Sequence, residues 1–313
     1  MKKAQKILDL PVIETGSRPK VVLIGNGINR MFHRDSWKNI IENALARNRS
    51  PYIYSEINDL PATMQIVLAC NNKGVNLEAK HIAKELREDI KKISEEEAEL
   101  LTSILSLPAD GILTTNYSLE FEYAAERISN MSDYRKLRFF TKELTRTEEQ
   151  FVLYQRSEVH SQNGGQRIWH IHGDINKSSS IILGHYYYGK LQARIQDRIR
   201  YLCKEYRMAR AADQPFKPMS WVDYFMLGDV YAFGIGLDTA EQDLWWLLAC
   251  KQIEFPETKF VYYKPEKDIS GTTKKMLLAY DALPVTDIQR KEDDYKSYYL
   301  DVIKDIRGRM QKS

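Results

Sequence analysis

Short unbroken apolar runs alternate along the chain with longer stretches in which apolar residues recur at helical spacing. Val21, Val22, Leu23 and Ile24 form the first run, the kind a buried parallel strand needs because both its faces are covered. It breaks at Gly25-Asn26-Gly27. Gly111 to Thr115 reads as a second strand ending at Asn116, and Ile168-Trp169-His170-Ile171-His172 as a third ending at Gly173-Asp174. Ile181 to Leu183, Val230 to Phe233, Phe260 to Tyr263 and a short run at Pro284 to Ile288 complete the set.

The intervening segments predict helices. Ser36 stands as an N-cap before Trp37, Ile40, Ile41 and Leu45, which share one helical face. A charged helix is predicted from Leu77 to Leu107, with the Glu95–Glu99 run as a solvated face. Helical spacing returns at Ser118 to Ile128, Tyr188 to Ala212, after Thr239, and from Asp294 to Arg309. The alternation predicts an α/β fold, a Rossmann-like, mostly parallel sheet with helices on both faces. The long connections after the first and third strands are expected to form a smaller helical lobe over the sheet's carboxyl edge. Residues 130–166 carry little pattern and read as a variable insertion.

Composition narrows the class. Of 313 residues 43% are hydrophobic and 28% charged, ordinary for a chain with a sizeable core. The net charge of +3 is too small to indicate direct nucleic-acid or membrane binding. Lys2, Lys3 and Lys6 lead into no apolar run long enough for a signal peptide, and no run is long enough to span a bilayer. Cys70, Cys203 and Cys250 are scattered and form neither a zinc knuckle nor a disulfide framework. A cytoplasmic protein without a metal centre is expected.

Four strand ends carry candidate chemistry. Gly25-Asn26-Gly27-Ile28-Asn29 follows the first strand, where glycines let backbone amides approach a pyrophosphate. It is not G-x-G-x-x-G, because Arg30 stands three after Gly27, and an ordinary strand-to-helix turn explains it equally. Thr114-Thr115-Asn116-Tyr117 places a hydroxyl and an amide at the same edge. An Asn there needs partners for both donor and acceptor, which a ribose diol, a water or a turn would supply. His170 and His172 alternate at period two onto one face, and a neutral imidazole at the strand's carboxyl end can take a proton near neutral pH. Either could equally be a packed structural histidine. Phe233-Gly234-Ile235-Gly236-Leu237-Asp238 is a second glycine turn after a strand, so that a ligand could span the sheet between the two.

In order and rough spacing, G-N-G-I-N, T-T-N-Y, H-I-H-G and F-G-I-G-L-D resemble the sirtuin-like (silent information regulator) domain, in particular its zinc-free bacterial branch that cleaves NAD in antiphage defence. The resemblance covers about residues 20–265. It implies one domain over 1–313, with a Rossmann-like core at about 20–30, 108–128, 167–185 and 228–313, and a helical lobe at about 36–107 and 186–227. It implies Asn116 and His172 as the catalytic pair. Gly25, Asn26, Gly27, Asn29 and Thr115 would line the NAD site, with Gly234, Gly236 and Asp238 on the adenosine side. The cysteine pattern of deacylating sirtuins is missing, and Asn26, Asn29 and Arg30 depart from the usual first loop, which weakens protein deacylation.

The expected activity is therefore NAD hydrolysis to nicotinamide and ADP-ribose, with NAD as substrate and no metal. Such an enzyme would deplete its own cell unless restrained, so control by a separate protein partner or by homo-oligomer assembly is expected. The alternatives are an NAD-dependent deacylase and a non-catalytic NAD- or ADP-ribose-binding regulatory subunit.

Overall fold

The computed structural model describes residues 10–32, 37–127, 133–135, 148–161, 164–237, 242–292 and 294–312. Its centre is an eight-stranded sheet of β1 (Lys20–Ile24), β2 (Gly111–Thr114), β3 (Asp133–Arg135), β4 (Ser157–Ser161), β5 (Gly164–His170), β6 (Asp229–Phe233), β7 (Phe260–Tyr263) and β8 (Ala282–Val285), in the order β3-β4-β5-β2-β1-β6-β7-β8. Every neighbouring pair from β5 to β8 is parallel, while β3–β4 and β4–β5 are antiparallel. The chain winds outward from β1 through β2 to β5, returns to the other side of β1 for β6, and winds outward again. This is the doubly wound, Rossmann-like α/β arrangement, whose ligand crevice lies outside the carboxyl ends of β1 and β6, where the winding reverses.

Alternation within the strands divides the core in two. Val21, Leu23, Leu113, Trp169, Val230, Ala232 and Tyr262 face one side, packed by helices His185–Ala211, Trp221–Leu227 and Gln242–Glu254. Val22, Ile24, Ile112, Ile168, Tyr231, Phe233 and Tyr263 face the other, under helices Glu95–Leu105, Glu120–Arg127 and Tyr295–Lys312. Burial on both faces is why these strands read as continuous apolar runs rather than alternating ones.

A third apolar cluster forms the helical lobe, from Ile41, Ala44, Ile57, Ile66, Ile82 and their neighbours, and Ile175, Ile181 and Leu183 join it. Buried Glu78 accepts from Arg47 and, at 3.0 Å, from Asn48, tying helix Trp37–Asn48 to Val75–Ile90. The lobe is smaller than expected. Helices Glu95–Leu105 and His185–Ala211 give their buried side chains to the sheet clusters instead.

Several local expectations need correction. The predicted helix Leu77–Leu107 is two helices, Val75–Ile90 and Glu95–Leu105, because Ser94 and Glu97 form a capping box that starts the second. Glu95, Glu96 and Glu97 thus occupy a first turn, where carboxylates favour the helix dipole. Ile181 to Leu183 pairs with no strand among the described residues: after the 3₁₀ helix Ile175–Ser180, Ile181 and Leu183 join the lobe while Ile182 packs into a sheet-face cluster. Within residues 130–166 lie β3, β4 and helix Glu148–Tyr154, which extend the sheet antiparallel beyond β5. The caps Ser36 and Thr239 lie outside the described residues.

Candidate functional site

A cleft of about 890 Å³ opens between the lobe and the carboxyl ends of the strands, a volume within the range of small-molecule sites. Gly25, Asn26, Gly27 and Asn29 reach it after β1, Thr115 and Asn116 after β2, His172 after β5, and Gly234 and Gly236 after β6. Residues predicted from four separate motifs therefore line one cavity. Asp238 lies outside the described residues.

Asn116 is only 5% exposed and is held by most of its polar atoms. Its backbone N–H donates to Thr114 Oγ1 at 3.1 Å, its carbonyl accepts from His170 Nδ1 at 2.7 Å, and its Nδ2 donates to Glu120 Oε1 at 2.5 Å. Its Oδ1 has no hydrogen-bond partner among the described residues. An unmet buried acceptor costs on the order of 1–3 kcal/mol, so a donor on a ligand is favoured at this point. Gln65 Oε1 and Trp37 Nε1, on the lobe wall of the same cleft, are also without partners among the described residues. Sequence patterning gave Trp37 to a helix face; it also lines the cleft.

The two histidines do not share a side. β5 ends at His170, and Gly173 N–H donates back to His170 C=O at 3.0 Å, turning the chain. Gly173 has φ +89°, and a Cβ there would strike the Ser180 carbonyl, so glycine alone fits. Period two ends with the strand. His170 meets Glu122 Oε1 through Nε2 at 3.0 Å on the face of helix Glu120–Arg127. His172 meets Asp243 Oδ2 through Nε2 at 3.0 Å and Tyr188 Oη through Nδ1 at 3.3 Å, both from helices of the opposite face.

Their electrostatics differ too. Burial disfavours charge on His170, but the Glu122 carboxylate outweighs it and raises the pKa to about 9. His170 is thus an imidazolium that donates from both nitrogens, which makes it an anchor for the Asn116 backbone rather than a base. His172 lines the cleft between Asp243 at Nε2 and Tyr188 Oη at Nδ1; in the tautomer whose Nε2–H donates to Asp243, Nδ1 is the accepting nitrogen.

The glycine turns are also built differently from the expectation. Gly25 N–H donates to Phe233 C=O at 3.2 Å and Gly27 N–H to Gly234 C=O at 2.7 Å. A Cβ on Gly25 or Gly27 would stand 2.6 Å from the Gly234 carbonyl oxygen. Those two amides are spent between the loops, so contact between the β1 and β6 turns is what demands the glycines. Asn26 Oδ1 accepts from Asn29 Nδ2 at 2.6 Å, closing the first turn on itself.

Asp243, Tyr188 and Glu120 were missed in the sequence. Asp243 and Glu120 sit in the first turns of amphipathic helices, where acidic residues are common, and Tyr188 lies on a helix dominated by basic residues. No local signal distinguishes them.

Among the described residues no group of three or more His, Cys, Asp or Glu side chains is placed to hold a metal ion, and no helix is long and apolar enough to cross a membrane. The search of curated proteins found no match. Residues 110–211, which include Asn116, His172 and Tyr188, match the model of the SIR2-like domain, and this supports a sirtuin-like family and NAD-related chemistry for the chain.

Proposed function

We propose that the protein is an NAD glycohydrolase, cleaving the bond between nicotinamide and ribose with water to give nicotinamide and ADP-ribose. The observation that carries this reading is the pairing, within one cleft at the reversal point of the sheet, of an oriented imidazole at His172 with a buried amide at Asn116 whose oxygen is unmet. The SIR2-like match over 110–211 supports NAD as the ligand.

The chemistry asks little of the protein beyond placement. Departure of nicotinamide leaves an oxocarbenium-like ribose, and a water must reach it on the open face. Asn116 Oδ1 can accept from a ribose hydroxyl or from that water, fixing the reacting atoms. His172 takes the proton the water loses, with Asp243 stabilising the imidazolium that forms. Strand ends on a rigid sheet suit such a task, since the groups cannot drift apart.

Free NAD consumption would harm a host cell. We therefore include restraint or activation by a separate protein partner or by self-assembly in the proposal.

The test is release of nicotinamide and ADP-ribose from NAD by purified protein, alone and with a candidate partner, beside His172→Ala and Asn116→Ala. Turnover lost in both folded variants supports the reading. Failure to bind NAD, measured by titration on the same samples, overturns it.

A further inference from the structure

We infer that Glu120 is a positioning residue of this site, fixing the amide of Asn116 so that its oxygen rather than its nitrogen is left for the ligand. The inference rests on the reading above for the identity of the ligand, but its geometric core does not.

Burial raises the Glu120 pKa, while the hydrogen bonds from Ser118 and Asn116 and the nearby His170 charge favour its ionised carboxylate. An ionised carboxylate accepts hydrogen bonds and donates none. Glu120 opens helix Glu120–Arg127 and is 1% exposed. Its Oε1 accepts from Asn116 Nδ2 at 2.5 Å, and its Oε2 accepts from the hydroxyl of Ser118, which also lines the cleft. A 180° flip of the Asn116 amide would set Oδ1 against a carboxylate oxygen in a buried space, two acceptors with no proton between them. An Asn side chain ordinarily chooses its orientation from its surroundings, and here Glu120 permits one. His170 holds the same residue from its backbone carbonyl at 2.7 Å. Asn116 is therefore held at both ends, and Oδ1 is its buried side-chain atom left without a partner among the described residues. A ligand group that meets Oδ1 brings a donor such as a sugar hydroxyl or a bound water.

A carboxylate that merely filled space could be replaced by its isosteric amide without consequence. One that sets direction could not, because a Gln side chain offers either an oxygen or an NH₂ group to Asn116 and lets both orientations exist. Exchanging the chemistry of the two positions should restore the direction. In the double variant Asn116→Asp/Glu120→Gln the amide donates to the carboxylate, whose second oxygen again remains as an acceptor, and the pair keeps its charge and volume.

The experiment compares wild type, Glu120→Gln, Asn116→Asp and the double variant, with thermal unfolding recorded for each. For NAD turnover, Glu120→Gln is expected to lower kcat about tenfold while KM changes by less than about threefold. Asn116→Asp should lose more, and the double variant should recover at least about tenfold over Asn116→Asp. Equal kcat in Glu120→Gln and wild type, or no recovery in the double variant, overturns the proposal. A second measurement separates this from the assignment of activity. In protein labelled with ¹⁵N at asparagine side chains, the Asn116 NH₂ signals, assigned by their loss in Asn116→Asp, should show one proton shifted downfield by the carboxylate and restored to an ordinary position in Glu120→Gln. Signals indifferent to Glu120→Gln overturn the positioning role even if NAD is cleaved. A shifted signal in a protein that neither binds nor cleaves NAD upholds it while the hydrolase reading fails.

Discussion

His170 Nε2 lies 3.0 Å from Glu122 Oε1 inside the sheet's helix-covered face, with Ser157 Oγ donating to the same oxygen at 2.7 Å. This pair links the antiparallel extension, through Ser157 on β4, to the backbone of Asn116. Because Glu122 raises the His170 pKa to about 9 against burial, the folded state binds a proton more tightly than the unfolded chain, whose value is 6.5. The stabilisation is complete below about pH 6.5 and is lost as pH rises through about 9. Lys251 acts oppositely in an overlapping window: burial lowers its pKa to about 7 despite the pull of Asp229, so its cost is relieved as pH rises. The difference between wild type and Glu122→Gln isolates the pair. Urea unfolding should show the variant weaker by on the order of 3 kcal/mol at pH 6, with the gap closing by pH 10. A gap independent of pH would refute the charged pair.

Asp243 orients His172 at 3.0 Å. Asp243→Asn should lower kcat for NAD cleavage by at least about tenfold. His172→Ala should cost on the order of 10²–10⁴-fold. Because both groups are assigned to the step after NAD binds, titrated affinity for NAD should move far less than kcat. A parallel loss of affinity would place them in binding instead.

Gly27 and Gly236 make a contrasting pair. A Cβ on Gly27 would sit 2.6 Å from the Gly234 carbonyl oxygen and 2.9 Å from its Cα, whereas one on Gly236 meets nothing within 4 Å. Gly27→Ala should destabilise the fold by about 1–3 kcal/mol through overpacking of the two turns. Gly236→Ala should leave the unfolding midpoint unchanged and weaken NAD binding if the ligand backbone passes over it. Chemical denaturation and NAD titration of both variants check this.

Lys251 Nζ donates to the carbonyls of Phe225 at 2.8 Å, Met226 at 3.1 Å and Gly228 at 2.6 Å, closing the end of helix Trp221–Leu227. Lys251→Met keeps the length and removes the donors, orphaning carbonyls in the core. A loss on the order of 3 kcal/mol is expected from thermal or urea unfolding. A neutral effect would show that the carbonyls find other partners.

Sequence alone determined what local chemistry determines. Continuous apolar runs marked β1, β2, β6 and β7, because a strand covered on both faces cannot afford polar alternation. Turn residues marked the strand ends, which is why Gly25, Asn116, His172 and Gly234 could be selected before their convergence on one cleft was visible. The capping box at Ser94, S-x-x-E, divides what patterning read as one helix from Leu77 to Leu107, because apolar periodicity alone continues across it. Tertiary structure decided the rest. His170 and His172 share a face on paper, but a turn closed by Gly173 sends one to Glu122 and the other to Asp243. The glycines of the first loop invite a phosphate on paper, yet Gly27 spends its amide on Gly234. Asp243 and Tyr188 look like any other polar residues on their helices, because their contact with His172 is fixed by where helices more than a dozen residues away in the chain come to rest on the sheet; Glu120 meets Asn116 only four residues away, across the turn that opens its helix. Periodicity records which face of an element is buried; it carries no record of which buried faces meet.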